Sequence, residues 1–166
     1  MLHQGKTNAM YFYLIYISTA TELMDIKSLK HLLHTSRRIN RANDITGMLV
    51  YVEGYFLANE NGRFKQKLQG RFIQLLEGRE VDVRARYRAI EVDFRHYNLD
   101  ILTEGFVNER NFDQWEMGFR CLDKSDSFDP DEFIDLEIKL KAPERDIYLN
   151  PLLYLSSFYH MSKSKL

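Results

Sequence analysis

The run YFYLIYIS, Tyr11 to Ser18, constrains this chain more than any other stretch. It is aromatic and β-branched almost throughout, yet far too short to cross a bilayer, which takes about 20 residues as a helix. A segment apolar on both alternating faces is expected as a strand buried above and below. The rest of the chain must therefore cover that strand on two sides. At 166 residues it has room for one domain with an appendage.

Periodicity supplies the covering elements. A helix is expected from Asp25, as N-cap, through Asn40, with Ile26, Leu29, Leu32 and Leu33 spaced three and four apart on one buried face. ITGMLVYVEG (45–54) is the second strand and RFIQLLEG (71–78) the third. Between them lies YFLANENGRFKQKLQG, with Asn61-Gly62 as its strongest turn signal, which fits either an extended hairpin or an open loop. A second helix is expected over 81–97, burying Val83, Tyr87, Ile90 and Phe94, and strands over 99–107 and 115–120. The order is the split pattern of an α+β, ferredoxin-like βαββαββ sheet with both helices on one face.

SDSFDPD, 125–131, is a polar break. It divides a domain over 10–124 from a C-terminal helical extension over 125–166, in which Pro143 separates two apolar helices. That extension is expected to cover the open sheet face or pack against a partner subunit, and a homo-oligomer is expected.

Charge and composition narrow the partners. Hydrophobic residues make up 45% and charged residues 28%, an ordinary globular balance. With 23 basic and 24 acidic residues the formal net charge is -1, which gives no electrostatic pull toward nucleic acid or a membrane. A single cysteine, Cys121, excludes an internal disulfide and suits a reducing compartment. MLHQGKTNAM lacks the features of a signal peptide, so a soluble cytoplasmic protein is expected. The sequence contains no P-loop, metal-spaced His/Cys cluster or evident Ser-His-Asp grouping, and no enzyme is expected.

Three polar residues fall where the pattern demands a core. Tyr16 shares a strand face with Leu14, and Gln74 shares one with Phe72 and Leu76. Asn40 ends the first helix. A buried amide without partners costs about 1–3 kcal/mol, so Gln74 should be hydrogen-bonded. Taken singly, each has a plain reading. Tyr16 fits a core aromatic with its hydroxyl at the rim, Gln74 a cap on a backbone group, and Asn40 a helix end in left-handed conformation.

Taken together, LIYIS, SRRINRANDITGMLVY, GRFIQLLEG, YRAIEVDFRHY and RNFDQWEMGF resemble the BLUF family of blue-light sensors, in the family's order, from about Leu14 to Phe119. The most specific elements are ITGxLxY followed by FxQxLEG, then Asp93, Arg95 and His96, then the stretch holding Trp115 and Met117. The resemblance implies a flavin held non-covalently between the two helices, FAD with FMN as the alternative, flanked by Leu32 and Ile90. It puts the photoactive tyrosine at Tyr16 and the switch glutamine at Gln74. In the mechanism ascribed to the family, light drives electron and then proton transfer from the tyrosine, and the glutamine ends rotated or tautomerised. Asn40 matches one of two flavin-contacting asparagines; Ile39 stands where the other would be. Asp93, Arg95 and His96 are expected either to contact the flavin side chain or to form a solvated, salt-bridged helix end.

Trp115 and Met117, two apart on a strand, share a face and are expected to relay the signal to a protein partner, as in a short stand-alone member. Two other readings compete. One is a light-insensitive ferredoxin-like interaction module. The other is an acylphosphatase-type enzyme, which would need an arginine in the loop after the first strand, where STATELMD has none.

Overall fold

The computed structural model describes residues 10–120 and residue 155. The elements are β1 (Tyr11–Ala20), α1 (Ile26–Ala42), β2 (Thr46–Glu60), β3 (Arg63–Gly78), α2 (Glu80–Glu91), β4 (His96–Val107) and β5 (Trp115–Arg120). They form one sheet in the order β4-β1-β3-β2-β5. β1 is an interior strand antiparallel to both its neighbours, β3 is central, β2 is antiparallel to β3, and β5 lies parallel to β2 at the edge. This is the expected ferredoxin-like arrangement with one added strand.

Alternation along β1 sorts the two faces. Phe12, Leu14 and Tyr16 join Leu29, Leu32 and Leu33 of α1 and Val83, Tyr87 and Ile90 of α2 in one core, so both helices cover the same face. Tyr13 and Ile15 join Met48, Val50, Ile73, Leu75 and Phe112 on the other. Leu155 is helical and fully buried against that second face. The rest of the expected C-terminal extension, its boundary near 125 and Cys121 lie outside the described residues.

α1 begins as its sequence dictates, with the Asp25 carboxylate accepting the Ser28 N–H at 2.7 Å. The second residue of β2 is a position only glycine can fill. Gly47 has φ +137°, and a Cβ there would stand 2.0 Å from the Leu75 carbonyl oxygen.

The sequence left the segment before Gln74 undecided between hairpin and loop; it is a hairpin. β2 and β3 stay paired from Thr46↔Glu77 out to Glu60↔Arg63, and Asn61 and Gly62 turn with φ 53° and 78°. Both values suit a tight hairpin turn. Beyond Glu53 and Gly70 the two strands pair only with each other, as a ribbon leaving the sheet.

The second helix is shorter than its periodicity predicts. It ends at Glu91, and Phe94, expected in the core, is 87% exposed. The reason is local. The Asp93 carboxylate accepts the Arg95 backbone N–H at 3.0 Å, and the His96 ring meets the Ile90 carbonyl at 2.9 Å. These side chains compete with the helical ladder and turn the chain into β4 early.

Candidate functional site

Tyr16 and Gln74 are direct cross-strand partners on the helix-covered face. The Tyr16 hydroxyl donates to Gln74 Oε1 at 2.5 Å, with the residues 2% and 4% exposed. Burial pushes the phenol well above its ordinary value of 10, against the opposing charge of Arg86. The phenol therefore keeps its proton and remains the donor. The Tyr87 ring packs edge-on against Tyr16, centroids 5.3 Å apart, fixing its position from α2.

This pair opens onto a slot between the helices. Leu32 and Ser36 line it from α1, Arg86 and Ile90 from α2, and Leu49 and Phe72 from the sheet. Asp93, Arg95 and His96 line it from the turn into β4. Most residues singled out from the sequence thus meet at one place. The slot holds about 40 Å³, against the ~300 Å³ or more of typical ligand pockets, so a ring enters only if its side-chain walls part. Next to it, sharing Met24 and Arg95, is a cavity of about 640 Å³ lined also by Lys27, His31 and Phe94.

Asp93 and Arg95 form a bidentate ion pair. The hydrogen-bonded guanidinium holds the Asp93 carboxyl below the usual carboxylate range, and the carboxylate in turn raises Arg95. His96 is fixed at both ring nitrogens, by Ser18 Oγ at 2.8 Å and by the Ile90 carbonyl. The salt bridge of one of the two expected readings is thus present between Asp93 and Arg95, and the same residues line the slot.

Asn40 does not line the slot, but it lies one turn beyond Ser36 on the same side of α1. It is fully buried, and both its side-chain Nδ2 and Oδ1 lack a hydrogen-bond partner. An unsatisfied buried amide is costly enough to signal a missing polar partner. Ile39 is half-buried beside it. Asn40 does not take the left-handed conformation its position suggested; Asp44, with φ 52°, does.

Trp115 and Met117 are buried on the same face as Gln74. Arg37 of α1 donates to the Trp115 carbonyl at 3.3 Å, tying β5 to the helix that walls the slot.

Two further residues escaped the sequence reading. Arg86 turns into the slot, where its Nε is buried without a partner. On a helix facing the core on one side, an arginine has no mark separating it from the solvated ones. Glu77 is fully buried and accepts from the Asn111 and Phe112 backbone N–H groups and the Asn111 amide. Its place three residues after Gln74 in LLEG was the only available signal.

The arrangement suits a planar ligand with apolar faces and a polar edge. Leu32 and Ile90 supply apolar walls, while Asn40 and Arg86 hold unused hydrogen-bonding capacity. Among the described residues no group of three or more His, Cys, Asp or Glu is placed to hold a metal, and no helix is long and apolar enough to cross a membrane.

A family model described as sensors of blue light using FAD matches residues 11–118. No curated protein sequence matches the chain. Among solved structures, the photo-activated state of BlsA is 26% identical with a TM-score of 0.50, over 68% of this chain and 71% of that one. Klebsiella pneumoniae BlrP1, in a manganese and cyclic-diGMP complex, is 26% identical with a TM-score of 0.60, over 90% of this chain and 33% of its own. A bacterial light-regulated adenylyl cyclase is 25% identical with a TM-score of 0.53, over 91% and 35%. The chain thus spans about a third of these last two proteins.

Proposed function

The chain belongs to the BLUF family of flavin-binding blue-light sensors, and from that membership we propose that it is a photoreceptor switched by the Tyr16–Gln74 hydrogen bond. A bound flavin supplies the absorption of blue light and, once excited, a place for an electron. The chain's own residues supply the rest. Tyr16 is the oxidisable side chain of the site, and its hydroxyl already points at Gln74 Oε1. A phenol that loses an electron becomes strongly acidic, so its proton leaves along that bond to Oε1. When electron and proton return to Tyr16, Gln74 is left with its donor and acceptor ends exchanged, at no change in charge. The exchanged amide hydrogen-bonds a ring carbonyl more strongly, which moves absorption to the red.

The other residues bind and orient. Leu32 and Ile90 flank the ring, and Asn40 supplies the amide contact for which it is otherwise unpartnered. Asp93, Arg95 and His96 hold the side chain of the cofactor at the mouth. We take the cofactor to be FAD, with FMN as the alternative: the neighbouring cavity has the volume, and in Lys27 and Arg95 the cations, that a diphosphate tail would need. Output passes through Met117 and Trp115 to a protein partner and not through an enzymatic step of this chain. A homo-oligomer in the cytoplasm, with residues 125–166 as a packing element, completes the proposal.

The observation that carries this reading is the buried hydrogen bond between Tyr16 and Gln74 at the wall of a slot that Arg86 lines with an unpartnered Nε. The test is the absorption spectrum of the purified protein before and after blue light. A flavin spectrum that shifts to the red and reverts in the dark is expected. The narrowness of the slot favours the rival, a light-insensitive interaction module, and a colourless protein that refuses added flavin would establish it.

A further inference from the structure

Arg86 sits four residues before Ile90, so both project from α2 on the side that lines the slot. The neighbouring arginines of α2 are otherwise engaged. Arg84 pairs with Glu80 and Glu104 at 2.8 and 2.9 Å, and Arg88 donates to the Arg84 carbonyl at 3.3 Å. The acidic residue that lines the slot, Asp93, is taken by Arg95 through both of its oxygens. His96 has both ring nitrogens in use. Arg86 is left with a buried Nε that meets no acceptor.

A guanidinium cannot relieve this by losing its proton, and a planar fork of donors held in a half-buried site is costly unless acceptors face it. Burial depresses Arg86 and the Asp93 carboxylate works in the opposite direction, and Arg86 shares the slot with Tyr16 and Gln74.

We infer that Arg86 is a ligand-binding residue for the flavin ring, donating to a carbonyl oxygen on the polar edge of that ring. The inference rests on the photoreceptor reading above and adds to it a contact to the ring, distinct from any contact to phosphate. A cation at that edge also favours negative charge on the ring and departure of the Tyr16 proton, so it acts on the switch as well as on affinity.

The test is titration of the apo-protein with riboflavin, FMN and FAD, for wild type, Arg86→Gln, Arg86→Lys and Arg86→Met, together with the melting temperature of each apo-protein. Loss of one charge-assisted hydrogen bond corresponds to about a tenfold to hundredfold loss of affinity. The inference expects that loss in Arg86→Gln and Arg86→Met, to the same extent for all three flavins, with Arg86→Lys between. It also expects apo melting temperatures that do not fall, because a buried donor without an acceptor has been removed. A purely structural arginine would instead lower the apo melting temperature, and that result overturns the inference. An effect on FMN and FAD but not on riboflavin assigns Arg86 to phosphate and overturns it too. Equal binding by wild type and Arg86→Gln overturns this inference alone, whereas a wild type that binds none of the three overturns the photoreceptor reading with it.

Discussion

Gln74 and Met117 stand in one cross-strand row with Leu49 between them. Leu49 is the register partner of Gln74 on one side and of Met117 on the other, and all three are buried on the helix-covered face. Packed interiors leave no slack for a side chain to move alone. On the proposed reading a reorientation at Gln74 would reach β5 through a single intervening leucine, and Trp115 lies two residues before Met117 on that strand.

Trp115 is the chain's one tryptophan, so its fluorescence reports this row directly. In Met117→Ala the light-induced change in tryptophan fluorescence should vanish while the red shift of the cofactor persists. The substitution should also cost about 2–5 kcal/mol, since Met117 is fully buried. An undiminished fluorescence response would remove Met117 from the output route. Leu49→Val, a milder change, should weaken the response without abolishing it.

Replacing Asn40 by leucine removes a buried amide that lacks partners and leaves a side chain of similar size. The apo-protein should melt no lower than wild type, and higher by an amount matching up to about 1–3 kcal/mol. Flavin affinity should drop roughly tenfold with the lost contact. A lower apo melting temperature would mean that Asn40 serves the fold instead of the ligand.

Glu77 gives a pH signature. Desolvation by burial raises its pKa above the ordinary 4.5, although the Asn111 and Phe112 donors partly offset this. For an acid raised in the folded state, its contribution is fully present below the unfolded value and is lost as pH rises through the folded one. Stability should accordingly decline upward from about pH 4.5 until Glu77 is ionised. Glu77→Gln keeps an acceptor oxygen but cannot ionise, and its melting temperature should lack that decline. Parallel melting curves of the two proteins across this range would refute the assignment.

The ribbon should be locally soft. A two-stranded hairpin outside a sheet is marginally stable, and Gly62 turns it with φ 78°. Gly62→Ala forces a side chain into the left-handed region at a cost of about 1–2 kcal/mol. Hydrogen exchange should quicken over 55–69 while the amides around Tyr16 and Gln74 keep their protection. Faster exchange at Gln74 would show that the ribbon and the switch open together.

Alternation alone was enough to assign the faces of Tyr16, Gln74, Trp115 and Met117, because strand geometry leaves two choices and burial selects one. Asp25 likewise announced the start of α1. Other features depended on competition that no periodicity records. Phe94 continues the helical spacing of Val83, Tyr87 and Ile90, yet Asp93 and His96 capture backbone groups and end α2 first. The ribbon alternates too weakly, with Asn59, Glu60, Gln66 and Lys67 mixed among its apolar residues, to distinguish hairpin from loop. Arg86 was illegible because only its position relative to Asp93 and Arg95, separated by the turn, reveals that its acceptor is already taken.

The proposed switch is the proton shared by Tyr16 and Gln74. Its most direct test is the light-minus-dark absorption difference of the flavin-loaded protein, compared with Tyr16→Phe and Gln74→Ala loaded to the same extent. The prediction is a reversible red shift in the wild type and none in either variant, with flavin still bound in both. A red shift that survives in Tyr16→Phe or in Gln74→Ala would contradict the claim.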